Sequence, residues 1–125
     1  MSEMRFGPVQ LRIMQVLWEN QHVNAREITE ALNEESAIAH STVQTLLRKL
    51  EKKGAIHHQV QDRTFVYYAL VQPDQVLKKA SREIIERMLQ GSVGDLVCYL
   101  IKHERISSPE LEQIRRLIKA KEENP

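Results

Sequence analysis

A chain of 125 residues can bury one substantial core, or one core plus a smaller helical appendage that needs a partner to cover its apolar face. With 42% hydrophobic and 28% charged residues and a net charge of +1, the composition is globular and argues against indiscriminate binding to polyanions. No apolar run approaches the roughly 18 residues of a membrane span, the N-terminus MSEMRFGPVQ carries no export signal, and one cysteine excludes an intramolecular disulfide, so a cytoplasmic protein without direct membrane binding is expected.

Pro8 is suited to a first helical turn and precedes Val9 to Asn20, where Leu11, Ile13, Met14, Val16, Leu17 and Trp18 make a nearly all-round apolar helix that belongs inside. Asn24 followed by Glu27 resembles a capping box and opens a second helix with Ala25, Ile28, Ala31 and Leu32 on one face. Between these helices, Gln21 to Val23 is short enough to pair as a single rung of strand. Ser41 with Gln44 predicts the cap of a third helix, STVQTLLRKLEKK, that stops at Gly54. Ala55 to Val60 and Thr64 to Leu70 then change to extended, β-branched and aromatic patterning, which predicts a hairpin with a polar, basic tip at Gln61, Asp62 and Arg63.

Pro73 starts a fourth helix, from about Asp74 to Gln90, with a stripe of Leu77, Ala80, Ile84 and Met88. Gly91 to Gly94 reads as a turn. Val93, Leu96, Val97, Leu100 and Ile101 follow helical spacing, and Ser108 with Pro109 begins a last helix bearing Leu111, Ile114, Leu117 and Ile118. Three such helices bury little alone, so the expectation is a homodimer whose contacts come from Leu77, Ile84, Met88, Leu96, Val97, Leu100, Ile101, Ile114 and Leu117. The predicted fold is mainly α with a small β-hairpin: a winged helix-turn-helix DNA-binding domain over 1–72 and a helical dimerisation domain over 73–125.

The third helix carries the chemistry. At about 100° per residue, Val43, Leu46, Leu47 and Leu50 fall on one side and Ser41, Gln44, Thr45, Arg48 and Lys52 on the other, flanked by Thr42 and Lys49. A helix that reads the major groove needs such a polar and cationic face backed by an apolar anchor. From His40 to Arg63 five Lys and Arg stand against Glu51 and Asp62, a local charge of +3, to which His40, His57 and His58 can add. Gln44 suits bidentate bonding to adenine, and Arg48 suits guanine or phosphate. Ser41, Thr42 and Thr45 let the helix approach, while Lys49, Lys52 and Lys53 suit the phosphate backbone. Arg63 at the hairpin tip is a candidate for the minor groove or a phosphate, and Arg26 for a phosphate near the second helix.

No metal or cofactor is expected. His57 and His58 are adjacent on a strand and should point to opposite faces, which makes a poor pair of ligands. His22, His40 and His103 are scattered, and Cys98 reads as a small residue on a buried helix face. Only four glycines occur, with no phosphate loop, nucleophile elbow or H-E-x-x-H, so no enzymatic activity is expected. A protein-interaction module and a metal-responsive regulator stay open as alternatives to DNA reading.

LRIMQVLW at 11–18, NAREITEAL at 24–32, STVQTLLRKLEKKG at 41–54, RTFVYYAL at 63–70, GSVGDLV at 91–97 and SSPELEQIRRLI at 107–118 together resemble the penicillinase-repressor family across nearly the whole chain. The resemblance implies a dimeric winged-helix repressor on a pseudo-palindromic double-stranded DNA operator. It places Ser41, Thr42, Gln44, Thr45 and Arg48 on the recognition helix and Arg63 on the wing. It also implies release by proteolysis, with a membrane-bound metalloprotease sensor as a partner. Tyr99 and Leu100 stand where the resistance members carry a cleaved Asn-Phe bond. The copper-responsive members end in a cysteine cluster, whereas this chain ends AKEENP, which disfavours direct copper sensing.

Overall fold

The computed structural model describes residues 5–125. The elements are α1 (Pro8–Glu19), β1 (Val23–Asn24), α2 (Ala25–Asn33), α3 (His40–Lys53), β2 (Ile56–Gln61), β3 (Thr64–Ala69), α4 (Pro73–Met88), α5 (Val93–His103) and α6 (Ser108–Glu123). They fall into two compact units, one ending at Ser81 and the other spanning Arg82–Pro125.

In the first unit three helices pack on an antiparallel sheet of order β1-β3-β2. Ile13, Met14 and Leu17 of α1, Ile28 and Leu32 of α2, and Val43, Leu47 and Leu50 of α3 close a core with Ala55, Ile56, Ala69 and Val71. Contrary to an all-round buried helix, α1 fully buries only one face, and Trp18 is half-buried with its indole N–H donating to the Val71 carbonyl at 2.8 Å. Where α2 ends, the Arg12 guanidinium reaches in from α1. It donates to the Leu32 carbonyl at 2.7 Å and to the Ser36 hydroxyl at 3.2 Å, satisfying helix-end acceptors with a cation.

Local chemistry sets the boundaries. Asn24 and Glu27 form a full capping box, with the Glu27 amide donating to Asn24 Oδ1 at 2.8 Å and the Asn24 amide to Glu27 Oε1 at 2.9 Å. Val23 and Asn24 pair with Tyr67 and Val66, which is slightly longer than the single rung expected. Gly54 takes the left-handed conformation at φ +84, and the Ala55 amide returns to the Leu50 carbonyl at 3.0 Å, so the chain leaves α3 directly into β2.

One predicted boundary is corrected. Ser41 does not cap α3; the helix starts at His40 with Ala39 before it, and no side chain caps it. The cause lies in the preceding turn. Asn33 donates to the Ile38 carbonyl and accepts from the Ile38 amide, both at 3.0 Å, so the turn closes early. Ser41 therefore enters α3 with its side chain exposed.

In the second unit Ser92 caps α5 by accepting from the Asp95 amide at 3.1 Å, which makes Gly94 part of the helix rather than of the turn. Ser107 and Glu110 form the capping box of α6, with Pro109 in its first turn. Neither α5 nor α6 has a buried residue, and α4 has only Ile85. Cys98, expected on a buried face, is exposed. Val97, Leu100, Ile101, Ile106, Ile114, Leu117 and Ile118 line an open apolar groove between α5 and α6. No helix among the described residues is long and apolar enough to cross a membrane.

Candidate nucleic-acid interface

Helix α3 is divided lengthwise. Val43, Leu47 and Leu50 are fully buried, while Ser41, Thr42, Gln44, Thr45, Arg48, Lys49 and Lys52 are all exposed. Because the anchoring side chains are tightly packed, the exposed stripe is held by the core rather than by its own contacts. Within it, the Thr45 hydroxyl donates to the Ser41 carbonyl at 3.0 Å and accepts from Arg48 Nη2 at 3.2 Å. This chain of bonds lays the Arg48 guanidinium along the stripe, one turn from Gln44.

Lys53, expected to suit the phosphate backbone, is engaged within the fold. Its ammonium donates to the Arg5 carbonyl at 2.6 Å and to Gln10 Oε1 at 3.3 Å, and it lies over the Phe6 ring. Those contacts hold it against the segment leading into α1.

Four predicted positions from separate elements meet at one open cleft: Arg26 of α2, His40 and Gln44 of α3, and Arg63 at the hairpin tip, with Asn24, Thr64, Phe65 and Tyr67 completing its walls. His40 is oriented from α2. The Thr29 hydroxyl donates to the Ala25 carbonyl at 2.8 Å, so its oxygen is the acceptor facing His40 Nδ1, also at 2.8 Å. Arg26 is exposed, with Glu30 one turn on at 3.9 Å, a separation at which a surface pair adds little.

The hairpin connects β2 to β3 through Asp62 and Arg63, with Gln61 paired to Thr64. Gln61 is thus the last strand residue rather than part of the turn. Both turn residues have positive φ, +50 for Asp62 and +66 for Arg63, the backbone of a type I′ turn. An arginine is unfavourable in this conformation, and its presence puts a long cation at the extremity of the wing.

Two further residues bear on the site and went unnoticed in the sequence. Tyr67 on β3 lines the cleft, and its phenol is pushed above its usual range by burial first and then by the Glu51 carboxylate, with Arg48 opposing. It stays protonated at neutral pH and can donate a hydrogen bond. Glu51 accepts from His57 Nδ1 at 3.2 Å and from His58 Nδ1 at 2.8 Å, one carboxylate oxygen for each ring. This corrects the expectation that the two histidines diverge. β2 is the outer strand of the sheet, so rings from its two faces can turn around the free edge to the same carboxylate. Neither the helical spacing of Glu51 nor the alternation of the strand signals that meeting.

Helix, helix, recognition-type helix and hairpin on one core define a winged helix-turn-helix protein. The chain matches the penicillinase repressor family over residues 6–120, and it belongs to that family. It is similar to the penicillinase repressor of Bacillus licheniformis, 26% identical over 114 residues covering 91% of this chain and 89% of the relative. It is also similar to the methicillin resistance regulatory protein MecI of Staphylococcus aureus strain N315, 28% identical over 109 residues, with 87% and 89% covered. Among solved structures, the DNA binding domain of the repressor BlaI is 32% identical with a TM-score of 0.51, covering 55% of this chain and 84% of that domain.

Proposed function

We propose that the chain is a dimeric, sequence-specific transcriptional repressor that binds and does not catalyse, acting in the cytoplasm on a pseudo-palindromic operator of resistance or stress genes. The observation that carries this reading is the exposed stripe of α3 opposite a fully buried leucine and valine face, with Arg26, His40, Gln44 and Arg63 converging on the cleft beside it. In this role α3 lies in the major groove, where Gln44 and Arg48 address base edges. Ser41, Thr42, Thr45, Lys49 and Lys52 serve approach and phosphate binding. Arg63 reaches the flanking minor groove or a phosphate, and Arg26 a phosphate from the other side. The names of the relatives, a penicillinase repressor and a methicillin resistance regulator, support the same class of role.

Dimerisation is proposed from the apolar surface left over on α4, α5 and α6. Leu77 is 68% exposed, Met88 75% and Leu117 64%, and Ile84, Val97, Leu100 and Ile101 are exposed too, with Leu96 and Ile114 half-buried. A second copy that covers these residues sets two recognition helices on half-sites one helical turn apart, roughly 34 to 36 Å. Release by a membrane-bound metalloprotease sensor remains part of the proposal. The Tyr99–Leu100 bond lies inside α5, so cleavage there requires the helix to open first.

Selection of binding duplexes from a random pool, followed by titration of two variants, tests the reading. Gln44→Ala should relax preference at one or two base positions. Lys52→Ala should weaken every duplex alike and make the salt dependence shallower by about 0.9 in log–log slope. Recovery of no enriched sequence, or wild-type preference in both variants, refutes it in favour of a protein-interaction module.

A further inference from the structure

The junction of α3 with the wing holds a constellation that the DNA-reading role leaves unused. Glu51, near the end of α3, and His57 and His58, at the start of β2, bring one ligand-type atom each to within 4.8 Å of one another. We propose that these three residues form a binding site for a divalent transition-metal ion of the zinc type, with solvent completing its coordination.

The donor set selects the metal. Two imidazole nitrogens and one carboxylate oxygen suit zinc and its neighbours, whereas magnesium and calcium require oxygen ligands. Ligand distances of about 2.0 to 2.2 Å put donors three to four ångströms apart, so the three atoms, now within 4.8 Å of one another, close in around the ion by side-chain rotation. Glu51 accepts on both oxygens, so each Nδ1 carries its proton in the metal-free form. On metal binding each neutral ring moves that proton to Nε2 through solvent, and the Nδ1 lone pair replaces the N–H donor.

The rings are held in place for this. His58 stacks on Phe65 with centroids 3.8 Å apart and planes 11° apart, and His57 stands edge-on to Tyr68 at 6.1 Å. The His57 side chain is 54% exposed, so an ion can enter from solvent, while His58 and Glu51 are mostly covered. A bound ion would cross-link the recognition helix to the wing. It would also add positive charge to the cluster one turn after Arg48, beside the face assigned to phosphate. Metal binding should therefore tighten DNA binding.

The test is made on the untagged full-length protein without DNA, so that its failure is separable from failure of the DNA-reading role. Zinc titrated against a chromophoric chelator should show one ion per chain, and magnesium should not compete. Glu51→Gln, His57→Gln and His58→Gln should each weaken binding about tenfold or more, whereas Cys98→Ser should leave it unchanged. In the wild type, zinc should shift the ring resonances of His57 and His58 and leave those of His22, His40 and His103 in place, a readout independent of whether any variant folds. No saturation at millimolar zinc, equal affinity in the three variants, or movement of the other histidines instead would overturn the proposal.

Discussion

Arg63→Gly should separate the stability of the wing from its function, because the two are expected to move in opposite directions. Arg63 sits at φ +66 and Asp62 at +50. A side chain in the left-handed region costs about 1–2 kcal/mol, while the extra freedom of glycine in the unfolded chain costs about 0.5–1 kcal/mol. The difference leaves Arg63→Gly neutral to about 1.5 kcal/mol stabilising, and it creates Asp-Gly, a favoured pair for this turn. Thermal unfolding should show a Tm between unchanged and about 4–8 °C higher. The same substitution removes the cation at the wing tip. Fluorescence anisotropy against a selected duplex at several salt concentrations should show weaker binding and a log–log salt slope shallower by about 0.9, the loss of one phosphate contact. A variant that is destabilised would refute the turn argument. One that keeps wild-type affinity and slope would refute the role given to Arg63 as a phosphate ligand.

Leu100→Asp should convert the protein to monomers by sedimentation, and operator affinity should fall by roughly 100- to 10,000-fold as the two half-sites lose their linkage. A wild type already monomeric at micromolar concentration would remove the basis for that role of the tail. Asn24→Ala deletes the acceptor of a 2.8 Å capping bond and should cost about 1 kcal/mol in urea unfolding.

Much of the first unit was legible because its signals are local. The Asn24–Glu27 box, Gly54 at the end of α3 and the change from helical to extended period each depend on a few neighbouring residues, and each appears in the structure. The division of α3 into a buried and an exposed face follows in the same way from a period of 3.6 residues. Where the reading missed, a contact from outside the local window had intervened. Asn33 closed the turn ahead of His40 and displaced the Ser41 cap, and the segment leading into α1 engages Lys53.

The sequence by itself determined the order of elements, which face of α3 is polar and exposed, and the surplus of apolar residues in the tail, since periodicity and capping are written in short spacings. Tertiary structure alone decided which side chains meet. Arg26, His40, Gln44 and Arg63 come from three elements to one cleft, and Glu51 joins His57 and His58 although strand alternation sends those rings apart. The physical reason is the same in both places. A side chain's neighbours across a fold depend on the packing angle and edge of the element that carries it, and the spacing of residues along the chain encodes neither.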